Sequence, residues 1–323
     1  MRQLISSRGV GRVVAASVLC ALAACAPMPV VSPAPAKSGA AARATAGDLI
    51  YGSGTDGSHV YVFSYPGGDL VDTIAVPKGT IALEGVCSDA SGNVFVTGIS
   101  PPKKGIGQGH LYEYAHGRTR LIKTLTFNNA IPFGCSVDPA SGTLAVSTVG
   151  LDNRGGALET FTTQGYEKSY YSYDIANFYY CAYDDQGNLF VNGQGSGTQM
   201  YLNELLEGKN GLEEISLDKY VSVSGMGQLQ WDGRNLTLED LTANAIYRLG
   251  VSGSSAKVVG TTHIKGWNGA ALSTIDGNGV LVPSGVSATA IGFWKYPGGG
   301  TAVKTVSSPS GLFALTISVG KQR

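Results

Sequence analysis

The stretch Glu84-Gly-Val-Cys-Ser-Asp-Ala-Ser-Gly-Asn-Val-Phe-Val-Thr-Gly98 carries the clearest structural pattern in this chain. Two short apolar runs flank an Asp-x-x-Gly turn, in which the Asp side chain bonds the neighbouring backbone and the glycine supplies a positive φ. The pattern recurs at 133–146 and 180–191, with weaker copies at 227–238 and 269–282 and half a copy at 311–319. Each full copy predicts a pair of antiparallel strands.

A second hairpin with a glycine at its tip accompanies each of these pairs. The tip glycines are residues 67, 117, 165, 208, 253 and 298, at steps of 50, 48, 43, 45 and 45 residues. A near-constant step of four strands indicates a propeller blade, so we predict an all-β, six-bladed β-propeller. The half copy predicts that one C-terminal strand joins three N-terminal strands in a shared blade. Two β-sandwiches, the competing architecture, explain neither the step nor the half copy.

The N-terminus carries an export signal. Arg2, Arg8 and Arg12 precede a short apolar run that ends in Leu22-Ala23-Ala24-Cys25, and this run is too short to span a bilayer as a mature helix. The quartet resembles the bacterial lipobox, which implies diacylation of Cys25. We therefore predict a signal peptide over 1–24, a lipidated, Pro/Ala-rich tether over 25–47 and the propeller over 48–323. Because residue 26 is not Asp, the resemblance implies anchoring to the cell envelope at the outer membrane.

Composition narrows the choice of partner. The whole chain carries 23 basic and 23 acidic residues and has no Lys/Arg-rich run. A near-neutral chain of this kind is a poor match for nucleic acid, whose backbone attracts clustered cations. We therefore expect a membrane contact through the lipid, a protein or glycan ligand, and no nucleic acid.

The strand-Asp-x-x-Gly-Asn-Val-x-Val pattern resembles the NHL and SMP-30-like propellers. It also resembles a group of secreted bacterial propellers with Tyr-Pro-Gly-Gly hairpins, because Tyr65-Pro66-Gly67-Gly68 and Tyr296-Pro297-Gly298-Gly299 are close copies. One propeller scaffold hosts lyases, lactonases and binding modules, so this resemblance implies a fold and no single chemistry.

The same resemblance implies a metal hypothesis. In SMP-30-type lactonases a Glu before Gly joins Asn and Asp side chains around a cation in the central channel, and Glu84 and Asn268 match two of those positions. The corresponding residues elsewhere are Phe133, Tyr179, Ser224 and Ser310, which are poor ligands for a hard cation such as calcium. We expect no cofactor, with a divalent cation at Glu84 and Asn268 as the alternative.

Other catalytic signals are weak. The four histidines occur at strand positions toward the blade rims, and no Gly-x-Ser-x-Gly, His-Glu-x-x-His or phosphate-loop motif occurs. Of the three cysteines after Cys25, Cys135 and Cys181 stand three residues before their turn Asp, and Cys87 stands two before its own. Alternation places Cys87 on the opposite strand face. The shared register makes Cys135–Cys181 the candidate disulfide, and buried thiols are the default.

Tyrosines concentrate in one part of the chain: seven of the sixteen lie between residues 161 and 183. Large, stiff and half polar, tyrosine suits protein contact or sugar stacking, although strand propensity and inter-blade packing also favour it. We predict a binding mouth lined by Phe133, Phe178, Tyr179, Tyr180 and Trp267. The predicted function is a lipid-anchored, non-catalytic binding or scaffold module, and the alternative is a metal-dependent lactonase or lyase acting in the channel.

Overall fold

Antiparallel β-strands form nearly all of the regular structure. The computed structural model describes residues 47–101, 107–151, 155–162, 165–267, 272–277, 279–283 and 289–320. In these ranges the only helical turn is the 3-10 segment Val223–Gly225. The described residues include no helix with the length and hydropathy needed to cross a lipid bilayer. The fold is all-β and propeller-like.

The strands follow one another in four-stranded antiparallel groups, which we number as repeats 1 to 6. Repeat 1 contains β24 (Leu312–Ser318), β1 (Leu49–Gly54), β2 (His59–Ser64) and β3 (Leu70–Ala75). Repeat 2 contains β4 (Ala82–Ser88), β5 (Val94–Ser100), β6 (Gln108–Tyr114) and β7 (Leu121–Asn128). Repeat 3 contains β8 (Ala130–Val137), β9 (Leu144–Gly150), β10 (Leu158–Thr162) and β11 (Gly165–Tyr170).

The second half of the chain continues the series. Repeat 4 contains β12 (Asn177–Tyr183), β13 (Leu189–Gln194), β14 (Met200–Leu205) and β15 (Glu213–Leu217). Repeat 5 contains β16 (Met226–Trp231), β17 (Leu236–Asp240), β18 (Ala245–Ser252) and β19 (Ser255–Lys265). Repeat 6 contains β20 (Thr274–Asp276), β21 (Gly279–Pro283), β22 (Ala290–Lys295) and β23 (Gly299–Ser307).

The Asp-x-x-Gly turns join the first and second strands, as predicted. The Asp89 carboxylate accepts hydrogen bonds from the backbone N–H of Ser91 at 2.9 Å and of Asn93 at 2.8 Å. Gly92 takes a φ of 84°, which glycine adopts without strain. The turn at Asp184 repeats the arrangement, so the sequence pattern encodes one local conformation.

The two chain ends meet in repeat 1. Strand β24 pairs antiparallel with β1, with Leu49 opposite Ser318. The side chains of Leu312 and Leu315 in β24 are fully buried. The prediction that a C-terminal strand joins three N-terminal strands is therefore confirmed.

Each repeat contacts the next, and repeat 6 contacts repeat 1 through the Leu272 N–H, which donates to the Phe313 carbonyl at 2.8 Å. The apolar core lies between neighbouring repeats. Between repeats 2 and 3, for example, one cluster of buried residues contains Cys87, Phe95, Leu111, Phe127, Cys135, Leu144, Val146 and Phe161. A four-stranded sheet buries its two faces only against other sheets, so stability rests on this lateral packing.

The disulfide joins Cys87 to Cys135, with a Cα–Cα distance of 5.8 Å, and Cys181 is a buried free thiol. The predicted pairing of Cys135 with Cys181 is therefore wrong. Residues in the same register point the same way: Cys135 Sγ lies 3.8 Å from the Phe95 carbonyl oxygen in repeat 2, and Cys181 Sγ lies 3.9 Å from that of Ala145 in repeat 3. Because adjacent repeats pack face against face, only a cysteine on the opposite strand face, Cys87, meets Cys135.

We predict that Cys87→Ala/Cys135→Ala lowers the free energy of unfolding by about 2–4 kcal/mol, because the bridge restricts the unfolded chain. In urea titrations a reductant should destabilise the wild type by a similar amount and leave the double variant unchanged. Cys181→Ala is the matched control and should keep the response to reductant. If Cys181→Ala instead abolished that response, the bridge would involve Cys181.

Candidate functional site

Several of the predicted site residues lie near one end of the repeats. At this end the first strand of a repeat begins and the second strand finishes, since Ala82 pairs with Ile99 and Asn177 pairs with Gln194. We call this end the loop face. It is formed by the segments that precede the first strands and those that follow the second strands.

Three of the five predicted mouth residues lie together near the loop face. The rings of Phe133 and Tyr179 meet edge to face at 5.2 Å between centroids, and Tyr180 lies 6.2 Å from Phe133. The Tyr179 hydroxyl donates to Gln194 Oε1 at 3.0 Å. Phe133 and Tyr179 are half-buried, and Tyr180 is buried. The three rings therefore form a packed aromatic cluster with a polar tip at Tyr179.

Phe178 and Trp267 do not join this cluster. Phe178 is fully buried against residues of repeats 3 and 4, including Ala145 and Leu158. Trp267 packs with Ile264 and Trp294 in another buried cluster. A bulge in β12 between Phe178 and Tyr180 turns neighbouring rings in different directions. The prediction that these two aromatic residues line a mouth is therefore wrong.

Glu84 is half-buried and lies near Tyr180 of the aromatic cluster, and burial alone raises the pKa of its carboxyl to about 7. Burial also raises the pKa of Tyr180 well above its usual value, and the nearby carboxylates of Glu84 and Glu239 raise it further. A carboxyl that titrates near neutrality can hold or release a proton under ordinary conditions.

Glu239 in β17 is a second buried carboxyl that sequence analysis missed. Its carboxylate accepts hydrogen bonds from the backbone N–H of Ser273 at 3.2 Å and of Gln228 at 3.3 Å. Burial raises the pKa of Glu239 to about 7, although these hydrogen bonds act to lower it. In the sequence, Glu239 could have been recognised as an acidic residue at the end of the alternating run Leu236-Thr-Leu-Glu239.

The described residues do not fit the implied cation. Asn268 lies outside them, as does Cys25. Within the described ranges no group of three or more His, Cys, Asp or Glu side chains could hold a metal ion. At the positions equivalent to Glu84, the following two repeats place Phe133 and Tyr179, whose rings contact each other. A hard cation needs oxygen ligands there.

A cavity of about 730 Å³ opens on the loop face between repeats 3 and 4. Its described lining comes from Gly150, Gly155 and Gly156, from 171–176 with the start of β12, and from Gly195, Ser196 and Tyr201. The sequence signals were the glycines at 150, 155, 156 and 195 and the local excess of tyrosine.

Several solved structures superpose on this chain. A protein of unknown function from Bacteroides caccae superposes with a TM-score of 0.59 at 11% identity, covering 84% of this chain and 99% of that one. A Lactobacillus plantarum protein gives 0.56 at 12% identity, covering 84% and 99%. The major Malassezia sympodialis allergen Mala s 1 gives 0.52 at 13% identity, covering 73% and 83%. At these identities the likeness shows the all-β fold alone.

No protein-family model matches the sequence, and no curated protein is significantly similar to it.

We predict that Glu84→Gln changes how stability depends on pH. The folded-state pKa of about 7 lies above the value near 4.3 of an exposed glutamate, so the folded chain keeps a proton that the unfolded chain releases. Glu84 therefore lowers stability as the pH rises from about 4.5 to about 7. The variant should lose the part of the decline that Glu84 causes. At pH 8 its free energy of unfolding should be higher than that of the wild type by on the order of 3 kcal/mol.

Urea titrations between pH 4.5 and pH 8 measure this effect. The exposed Glu214 provides the control, and Glu214→Gln should leave the slope unchanged. An unaltered slope in Glu84→Gln would contradict the assignment of a buried, protonated carboxyl.

Proposed function

We propose that this chain is a lipid-anchored, non-catalytic binding module of the bacterial cell envelope, built as a closed six-bladed β-propeller. In this proposal the loop face holds a protein or glycan ligand. Cys25 carries the lipid, and the sequence Leu22-Ala23-Ala24-Cys25 after an apolar run supports that role. Two or more acyl chains hold a protein on a membrane where one does not.

The propeller architecture is supported by the connectivity of the repeats. Six sets of four consecutive antiparallel strands follow one another along the chain, and the terminal strands share one set. The pairings β9–β12, β15–β19 and β19–β23 join repeats 3 to 6 into one sheet. The first strands of successive repeats contact one another, from β24 to β4 and then to β8, β12 and β16. Repeat 6 contacts repeat 1 through Leu272. A propeller of this size presents all its loops of one kind on one face.

One observation carries the binding function: two tyrosines stand exposed beside the cavity on the loop face. Tyr171 is 65% exposed, and Tyr173 is fully exposed. Folding gains little from aromatic rings that remain in water, whereas aromatic side chains at a surface supply much of the binding energy of interfaces. Both tyrosines line the cavity. The combination of a cavity with exposed rings is typical of a ligand site.

We predict that the purified protein is retained by delipidated cell envelopes in the presence of EDTA, and that Tyr171→Ser/Tyr173→Ser reduces retention severalfold. Tyr166 is 60% exposed but does not line the cavity. Tyr166→Ser is therefore the matched control, and it should bind like the wild type. Equal retention of all three proteins in sedimentation assays would contradict binding through this face.

A metal-dependent lactonase or lyase is the second candidate, and the carboxyl of Glu84, with its pKa near 7, favours it. An ion that binds only the native state raises its stability by about 2.7 kcal/mol at a hundredfold excess over Kd. Thermal melts in EDTA and then in calcium, magnesium or zinc distinguish the candidates. The binding proposal predicts no shift, whereas a shift that Glu84→Ala abolishes would favour the enzyme and a search among lactones.

A further inference from the structure

We propose that a cleft between repeats 4 and 5 binds an alkylammonium group, as carried by a lysine side chain or by a free diamine. The cleft lies at the end of the repeats opposite the loop face, so this second site goes beyond the proposed function. Three features support it: a buried carboxyl without a partner, a difference between this repeat and its neighbours, and aromatic side chains in the cleft.

The cleft has a volume of about 410 Å³ and opens where the turns of repeats 4 and 5 meet. Repeat 4 contributes the turn after β12 and the hairpin of β14 and β15, and repeat 5 contributes Trp231 and the tip of the β18–β19 hairpin. These lining residues all lie within 184–254, inside the described range 165–267. The volume falls in the range of roughly 300–1,000 Å³ that is usual for small-molecule sites.

Glu204 in β14 is a buried acidic residue that lines the cleft. Its side chain is only 9% exposed, and it continues the strand face on which Met200 and Leu202 are buried against repeat 5. Within the described ranges no hydrogen bond or ion pair reaches its carboxyl. Burial raises the pKa of Glu204, and the nearby carboxylates of Asp184 and Glu213 raise it further. A buried carboxyl without a partner costs folding free energy, so folding alone does not explain this residue.

The neighbouring repeats place a lysine where repeat 4 places Glu213. Three residues are equivalent because each lies opposite the second residue of the second strand in its repeat: Glu113, Thr160 and Glu204. The fourth strand places Lys123 opposite Glu113 and Lys168 opposite Thr160, but it places Glu213 opposite Glu204. Like charges directly opposite each other destabilise a strand pair. Repeat 4 therefore lacks the lysine of its neighbours, and an alkylammonium ligand would supply the missing cation.

Aromatic and apolar side chains share the cleft with the acidic residues. Phe190, Trp231 and Leu249 belong to its lining, and Phe190 lies opposite Glu204 in the strand pair. An ammonium group is attracted to the face of an aromatic ring, most strongly to that of tryptophan, and its alkyl stem packs on apolar surface. Within the described ranges no group of three or more His, Cys, Asp or Glu side chains could hold a metal ion. The lining therefore suits an organic cation.

The formal charge of the cleft is negative. Four carboxyl groups and one guanidinium group belong to its described lining: Asp184, Glu204, Glu213, Glu214 and Arg234. The Arg234 side chain is exposed and forms no ion pair within the described ranges. The excess of carboxylates attracts a cation and repels an anion. Arg234 opposes a bound ammonium group, so its removal should strengthen binding.

Isothermal titration of the full-length protein at physiological salt tests the proposal, with cadaverine and the capped peptide acetyl-Gly-Lys-Gly-amide as the ammonium probes. At least one probe should bind with a Kd of about 1 mM or tighter, and the dicarboxylate glutarate should not bind. Glu204→Gln should weaken binding about tenfold or more. Arg234→Ala should strengthen it.

The sharpest variant is Glu213→Lys, which gives repeat 4 the lysine of its neighbours. Its own ammonium group should replace the ligand and abolish binding. Asp185→Lys is the matched control, because it makes the same change of charge at an exposed residue that does not line the cleft. Salt screens that charge, so the control should bind nearly like the wild type. Since Glu213 is exposed, both variants should melt like the wild type.

The outcomes identify the source of the ammonium group or overturn the site. Binding of cadaverine alone assigns a free diamine, and binding of the peptide alone assigns a lysine side chain of a partner. Absence of binding by both probes, binding of glutarate, full binding by Glu213→Lys, or equal losses in Glu213→Lys and Asp185→Lys would each overturn the proposal. Tyr171→Ser/Tyr173→Ser should bind the ammonium probes like the wild type, so failure here leaves the loop-face function untouched.

Discussion

The rest of the structure depends on lateral packing between adjacent four-stranded repeats. No repeat encloses its own core, because the buried side chains of one sheet face those of the next. The cluster around Cys87 and Phe95 in repeat 2 is completed by Cys135 and Val146 in repeat 3. Repeat 1 is completed by β24, which pairs with β1.

The loop face lies at the end of the repeats opposite the turns that join first and second strands. Asp-x-x-Gly turns such as those at Asp89 and Asp184 close the other end of a repeat, whereas Gly150, Gly155 and Gly156 lie with 171–176 around a cavity. Glycines there allow backbones to approach more closely than any side chain would permit. The strands of repeats 3 and 4 thus hold these loops in place.

The local sequence pattern predicts much of the fold because its signals act within a few residues. The turns at Asp89 and Asp184 depend on side chains that bond their own neighbourhood, and the half copy near the C-terminus identifies β24. The site was harder to predict because it depends on which way neighbouring residues face. Bulges in β4, β8 and β12 break simple alternation, so adjacent aromatic residues such as Phe178 and Tyr179 have different surroundings. Glu239 is buried against Ser273, thirty-four residues away along the chain, and this burial is what raises its pKa.

Repeats 2, 3 and 4 correspond residue by residue around the Cys87–Cys135 disulfide. Cys87 stands two residues before its turn Asp and faces Cys135 of the next repeat. Ser136 stands two residues before Asp138, and its hydroxyl accepts a hydrogen bond from the Tyr183 backbone of the following repeat at 3.1 Å. Cys181 occupies the register of Cys135 and faces back toward repeat 3. Ser136 and Cys181 thus occupy the strand positions that Cys87 and Cys135 occupy one repeat earlier, and a hydroxyl oxygen replaces one of the two sulfur atoms. Repeats 3 and 4 therefore carry a serine and a cysteine at the positions where repeats 2 and 3 carry a disulfide.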